Sequence, residues 1–140
     1  MVRNRTSSGV IMPKLSTQSA AKLMTCDTRL QDVVKAAINR IDFTVLCGHR
    51  GEVEQNEAYE RGFSKLRFPK SNHNSIPSTA VDLAPYPIDW KDLDRFKVLM
   101  LIIKSEAAER GIKLKFGWDW NGNEKADERF VDWPHIELDD

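Results

Sequence analysis

The chain has 140 residues, of which 41% are hydrophobic, and its 21 basic side chains are matched by 21 acidic ones. That length supplies one hydrophobic core rather than two, and the cancelled charge excludes the global field that draws a protein onto nucleic acid or an anionic membrane. No stretch approaches the roughly 18 consecutive apolar residues of a membrane span, which excludes stable membrane insertion. In chain order, residues 1–13 carry Arg3 and Arg5 but lack the apolar run of a secretory signal. Met12 offers a second start, and this segment, with its polar Ser7-Ser8-Gly9, is expected to be flexible, leaving 14–140 as the folded domain.

Residues 15–25 form a first short helix capped by Ser16 or Thr17. Asp27 or Thr28 caps a second, whose Leu30, Val33, Val34, Ala37, Ile38 and Ile41 recur at helical spacing. Asp42 to Cys47 is β-branched and aromatic and runs into Gly48, a strand entering a loop with His49 and Arg50. A polar helix from Glu52 to Arg61 stops at Gly62, and the aperiodic stretch from Phe63 to Thr79 is a long loop of the kind that usually carries function. Ala80 to Ala84 is a short apolar strand interrupted by Asp82. Asp89 is expected to cap a long helix from Trp90 to about Arg110, with Leu93, Phe96, Met100, Ile103 and Ala107 on one face. Lys113 to Trp118 and Pro134 to Leu138 alternate as strands, and Asn121-Gly122 marks a turn between them. This order implies an α+β single domain with a small, mainly antiparallel sheet flanked by helices. Cys26 and Cys47 are too few for a disulfide framework and read as buried or neutral thiols from a reducing compartment.

Two stretches carry chemistry. Ser71-Asn72-His73 with Ala80-Val81-Asp82, and Asp132-Trp133-Pro134-His135, together offer two histidines and a carboxylate, the nitrogen and oxygen donors of a hydrolytic zinc site with an open position. His73, Asp82 and His135 are the candidate ligands. Asp132, close to His135, is the candidate general base. A strand aspartate such as Asp82, set between Val81 and Leu83, is costly to bury unless something positive meets it. His49 ranks below the other histidines because no carboxylate accompanies it.

These motifs resemble the zinc peptidases that include D-alanyl-D-alanine carboxypeptidases, dipeptidases and the L-alanyl-D-glutamate endopeptidases of bacteriophage endolysins. The family pattern is a Ser-x-His segment, then Ala-x-Asp, then an acidic residue two positions before the one preceding a histidine, as in Asp132-Trp133-Pro134-His135. Phe43 to Arg50 looks like the family's strand ending in a substrate-side arginine, and Gly117 to Asn123 followed by Asp132 to Leu138 is similar to the phage branch; the likeness spans residues 14–140. One departure is that His73 and Asp82 stand nine apart, two more than in the short family pattern. The resemblance implies a D,D-peptidase-like fold with its zinc site at the sheet edge, held by His73, Asp82 and His135. It implies that Asp132 activates water, that Arg50 polarises the scissile carbonyl or holds a substrate carboxylate, and that Ser71 contacts substrate or steadies the ligand loop.

The activity so implied is hydrolysis of the L-alanyl-D-glutamate bond in the stem peptide of bacterial peptidoglycan. The enzyme is then a monomer held in the host cytoplasm until it is released to the cell wall. The alternatives are a D-alanyl-D-alanine carboxypeptidase on the same fold and a non-catalytic zinc-stabilised binding module. Trp118, Trp120 and Trp133 fit core positions better than a cleft. Asp119, Asn121, Asn123, Glu124 and Asp127 invite a calcium reading but lack the glycine of the EF-hand loop, and are read as a solvated turn. Glu137 is expected to be an exposed strand carboxylate in preference to a partner of a ligand histidine.

Overall fold

The structure is a computed structural model that describes residues 3–5, 11–126 and 131–140; the Ser7-Ser8-Gly9 segment and Asp127 lie outside them. Arg3–Arg5 (β1) and Ile11–Pro13 (β2) pair antiparallel as a separate ribbon. Helix α1 (Thr17–Leu23) starts where the Ser16 hydroxyl accepts from the Ser19 amide. Helix α2 (Thr28–Ala37) starts where Asp27 accepts from the Arg29 amide. In each case the cap satisfies a backbone donor that has no partner within the helix.

Strand β3 (Phe43–Cys47) leads to helix α3 (Glu52–Glu60) and then to a long loop containing a single 3-10 turn at Asn72–Asn74. Strand β4 (Ala80–Pro85), helix α4 (Leu93–Glu109), and strands β5 (Leu114–Phe116) and β6 (His135–Leu138) complete the domain. The four-stranded sheet has the order β3-β4-β6-β5 with every pair antiparallel. Alternation along the pleat turns Phe43, Val45, Val81, Leu83, Ile136 and Leu138 toward the core. There they meet Leu30, Val33 and Val34 of α2 and Leu99, Met100 and Ile103 of α4. Full burial of each such side chain contributes about 1.5–3 kcal/mol relative to exposure. The residues between them, Asp82, His135 and Glu137, project from the opposite face. No helix of the described residues is long and apolar enough to cross a membrane.

The long helix begins later than its periodicity implies. Asp89 instead closes a turn, accepting from the Lys91 amide through its side chain and from the Asp92 amide through its carbonyl, and Asp92 caps α4 by accepting from the Arg95 amide. Trp90 stands outside the helix and stacks on Phe96 at 5.5 Å, while Leu93 is 44% exposed instead of lying on the core face. Both aspartates are competent caps, and tertiary stacking of Trp90 decides between them.

Candidate active site

Register brings the chemistry together. Asp82 lies directly opposite His135 across the β4–β6 pair. On its other side it is opposite Cys47, because a bulge at Leu46 lets β3 advance by one residue. One face of the sheet therefore carries Cys47, Asp82 and His135 in a row across three strands. His73 is added from the 3-10 turn, where the Ser71 hydroxyl accepts from the His73 amide at 3.2 Å and Asn74 Oδ1 accepts from the Ser71 amide at 3.0 Å. Ser71 and Asn74 thus cap the turn that presents His73.

The hydrogen bonds of the two imidazoles fix which nitrogens face inward. His73 Nδ1 lies 2.7 Å from the Gly48 carbonyl, and His135 Nε2 lies 2.8 Å from Glu137 Oε1. A carbonyl or a carboxylate only accepts, so these outer nitrogens carry protons. The inner nitrogens, His73 Nε2 and His135 Nδ1, converge on Asp82 Oδ1 at 3.2 and 3.1 Å. Two imidazole nitrogens converging on a carboxylate oxygen, each ring backed by an outer hydrogen bond, suit a divalent cation.

Without a cation the same convergence binds protons. Burial is the largest single influence and disfavours imidazolium, yet the hydrogen bonds to Asp82, with Cys47 at His73 and Glu137 at His135, and the Asp82 charge together outweigh it and carry His73 up to about 10 and His135 up to about 9. Burial raises Asp82, but the bonds from His135 and His73 hold it well below the usual carboxylate range. Cys47 also belongs to the cluster: the ligand atoms of Cys47, His73 and Asp82 all lie within 4.8 Å of one another, so this group could hold a metal ion. Burial pushes the Cys26 thiol up to about 12, whereas at Cys47 burial is outweighed by the hydrogen bond to His73 together with the positive charges of His73 and Arg50, and the thiol is held below its usual value.

The cluster opens into a cleft of about 450 Å³ that is also lined by Arg50, Ser71, Asp132 and Glu137. Arg50 Nη2 lies 3.8 Å from Asp82 Oδ2. Asp132 is fixed through its backbone, its amide donating to the Gly117 carbonyl at 2.9 Å and its carbonyl accepting from the His135 amide at 3.1 Å. Burial, then the neighbouring Asp82, raises the Asp132 carboxyl above its ordinary value. That is the direction a base working near neutral pH requires.

Four residues differ from their sequence reading: Glu137, Cys47, Trp120 and Asp119. Glu137 is not a free strand carboxylate: it bridges His135 and, through Oε2 at 2.9 Å, the Asn72 side chain on the ligand loop. Cys47, read as a bland thiol, stands in the ligand row; only the register at the bulge reveals it. His49 does not line the cleft, and its amide donates to Thr25 Oγ1. Trp118 is buried and stacks on Trp133 at 5.2 Å, as core residues do, whereas Trp120 lines the cleft 5.5 Å from His135. In the acidic turn Asn121 and Asn123 are exposed, but Asp119 is buried and accepts from the Glu124 amide at 2.9 Å, so the turn is not solvated throughout.

Comparison with known proteins places this geometry among relatives. Residues 11–139 match the family model of phage L-alanyl-D-glutamate peptidases. The chain is 34% identical over 135 residues to the L-alanyl-D-glutamate peptidase of Escherichia phage T5, an alignment covering 89% of this chain and 97% of the relative. The crystal structure of the L-Ala-D-Glu endopeptidase ChiX from Serratia marcescens shares the fold, with a TM-score of 0.71 at 23% identity and 91% of each chain covered.

Proposed function

Because the chain belongs to the phage L-alanyl-D-glutamate peptidase family, we propose that it is a zinc-dependent endolysin that hydrolyses the L-alanyl-D-glutamate bond of the peptidoglycan stem peptide, with His73, Asp82 and His135 as ligands. The observation that carries the ligand assignment is the convergence of His73 Nε2 and His135 Nδ1 on Asp82 Oδ1, with both outer nitrogens already engaged. Cys47 is the weaker third donor, since its sulfur sits 3.8 Å from His73 Nδ1, the nitrogen whose proton goes to Gly48. Nitrogen and carboxylate donors with one open position are the set that zinc hydrolases use.

A zinc ion held there supplies a Lewis acid that polarises the carbonyl and makes water a nucleophile near neutral pH. The chain's own residues do the rest. Asp132 takes the proton of the attacking water and returns it to the leaving amine of the D-glutamyl residue. Arg50 points its guanidinium into the cleft, where it stabilises negative charge developing on the carbonyl oxygen or holds the free carboxylate beside the scissile bond. A base and a cation retained in the same cleft argue against a non-catalytic binding module. We read the enzyme as a monomer that waits in the host cytoplasm until it gains access to the wall.

Mass spectrometry of muropeptides after digestion tests the reaction. Cleavage between L-alanine and D-glutamate leaves a stem fragment with a new D-glutamyl amine. Release of free D-alanine with that bond intact would replace this reading with a D-alanyl-D-alanine carboxypeptidase.

A further inference from the structure

Helix α3 is polar along its length, yet one of its side chains is fully buried: Gln55 has no exposed surface. Its amide is saturated. Oε1 accepts from Arg50 Nη1 at 3.1 Å and from Asn74 Nδ2 at 3.2 Å. Nε2 donates to Ser64 Oγ at 2.9 Å and to the Leu66 carbonyl at 2.6 Å. The orientation is forced, because a flipped amide would set its NH2 against the guanidinium.

These four partners belong to three parts of the cleft. Arg50 is the cation beside Asp82, Asn74 follows His73, and Ser64 with Leu66 forms a wall that also presents Phe63 and Lys65. Asn74 Nδ2 in turn donates to the Arg50 carbonyl at 2.9 Å, and the Arg50 amide donates to the His73 carbonyl at 2.8 Å. We propose that Gln55 is a positioning residue for the peptidase reaction, acting through Arg50 on turnover and through the Ser64–Leu66 wall on substrate binding. This rests on the reading of Arg50 as a substrate-side cation.

The two ends of the amide separate the two roles. Gln55→Glu keeps an oxygen for Arg50 and Asn74, now as an ion pair that holds Arg50 at least as firmly, but sets a second oxygen against the Leu66 carbonyl, so it releases the wall while Arg50 stays held. Gln55→Met keeps the volume and removes both ends. Steady-state kinetics on a soluble muropeptide, with zinc content and unfolding curves for each protein, read the outcome. Gln55→Glu is expected to raise KM about tenfold with kcat within about threefold of the parent, and Gln55→Met to lower kcat at least about tenfold as well.

An unchanged KM in Gln55→Glu overturns the inference. So does loss in both variants by one common factor in kcat alone, the pattern of fewer folded molecules. If Gln55→Met does not fold, the Gln55→Glu result decides alone. An Arg50→Ala control keeps the layers apart: full activity there removes the role of Arg50 itself, whereas parent constants in the Gln55 variants beside an inactive Arg50→Ala remove only the role of Gln55.

Discussion

Asp82 and His135 face each other across neighbouring antiparallel strands, with Oδ1 3.1 Å from Nδ1, and the far nitrogen of the same ring is held by Glu137 two residues along β6. The tautomer of His135 is therefore set by Glu137, which holds the nitrogen turned away from Asp82. Glu137 also holds Asn72 at 2.9 Å, so it joins β6 to the loop that presents His73. Removing it in Glu137→Ala is expected to weaken zinc binding about 10–100-fold, the usual effect of losing such an outer partner. Activity should return when zinc is added in excess. Competition with a chromogenic chelator measures the affinity, and an unchanged value would remove Glu137 from the site.

Asp132 supplies the second prediction. Asp132→Ala is expected to keep bound zinc and lose about 10²–10⁴-fold in wall-lytic rate, the range for a general base. Retention of full lysis would show the base to be another group. The raised carboxyl adds two consequences. The acid limb of kcat/KM should lie above the value of about 3.9 for an unperturbed aspartate. In the metal-free protein, stability should fall as pH rises from the ordinary aspartate value of 3.8 through the raised native value, because folding favours the protonated form. Asp132→Asn should then melt higher than the parent at neutral pH without metal, and a lower melting temperature would contradict the burial argument.

Local signals were legible before any coordinates. Ser16 and Asp27 announce helix starts through hydroxyl and carboxylate caps, and the alternation of Val81, Asp82 and Leu83 announces a strand with one polar face. The candidate ligands His73, Asp82 and His135 could be named because metal chemistry restricts residue types so strongly, and the fold brings the three together. What escaped depends on contacts between segments distant in sequence. Cys47 joins the row only through the bulge at Leu46, a matter of pairing with β4. Gln55 looks like any residue of a polar helix until the 64–66 wall closes over it. The longer spacing from His73 to Asp82 is absorbed by tethers that no spacing rule reveals: the Ser78 amide donates to the Thr25 carbonyl and its hydroxyl to the Ala80 carbonyl.

Proton counting tests the ligand set. In the metal-free protein His73 and His135 are raised from 6.5 to about 10 and about 9, so both are charged at pH 7. Zinc binding must displace these protons, and calorimetry in buffers of different ionisation enthalpy should find about two released per metal at that pH. The same shifts set a stability profile. The contribution of the raised histidines is fully present below about 6.5 and is lost as pH rises through about 9 to 10. The depressed Asp82 contributes above its ordinary value of 3.8 and loses that contribution as pH falls through its lower native value. Metal-free protein should thus be most stable between those limits. Release of no protons at neutral pH would mean that the metal sits elsewhere.

Gly117 gives the most local test of how base and ligand are held together. It lies between them in space, its amide donating to the His135 carbonyl at 2.8 Å and its carbonyl accepting from the Asp132 amide at 2.9 Å. A Cβ added there would be driven into the Asp132 carbonyl and would meet His135 Cβ at 2.9 Å and Asp132 Cβ at 3.0 Å. These neighbours are backbone and Cβ atoms, which cannot swing aside as a side-chain tip can. Gly117→Ala is expected to cost about 1–3 kcal/mol as overpacking. It should also lower kcat, by up to the roughly 10²-fold that a ~1 Å displacement of the proposed base from the proposed ligand costs. Gly111 is the control: its φ is +67° and nothing lies within 4 Å of an added Cβ. Gly111→Ala should destabilise by about 1–2 kcal/mol through backbone strain alone and leave kcat unchanged. If the two alanines lower the melting temperature equally and neither alters kcat, Gly117 has no part in positioning Asp132.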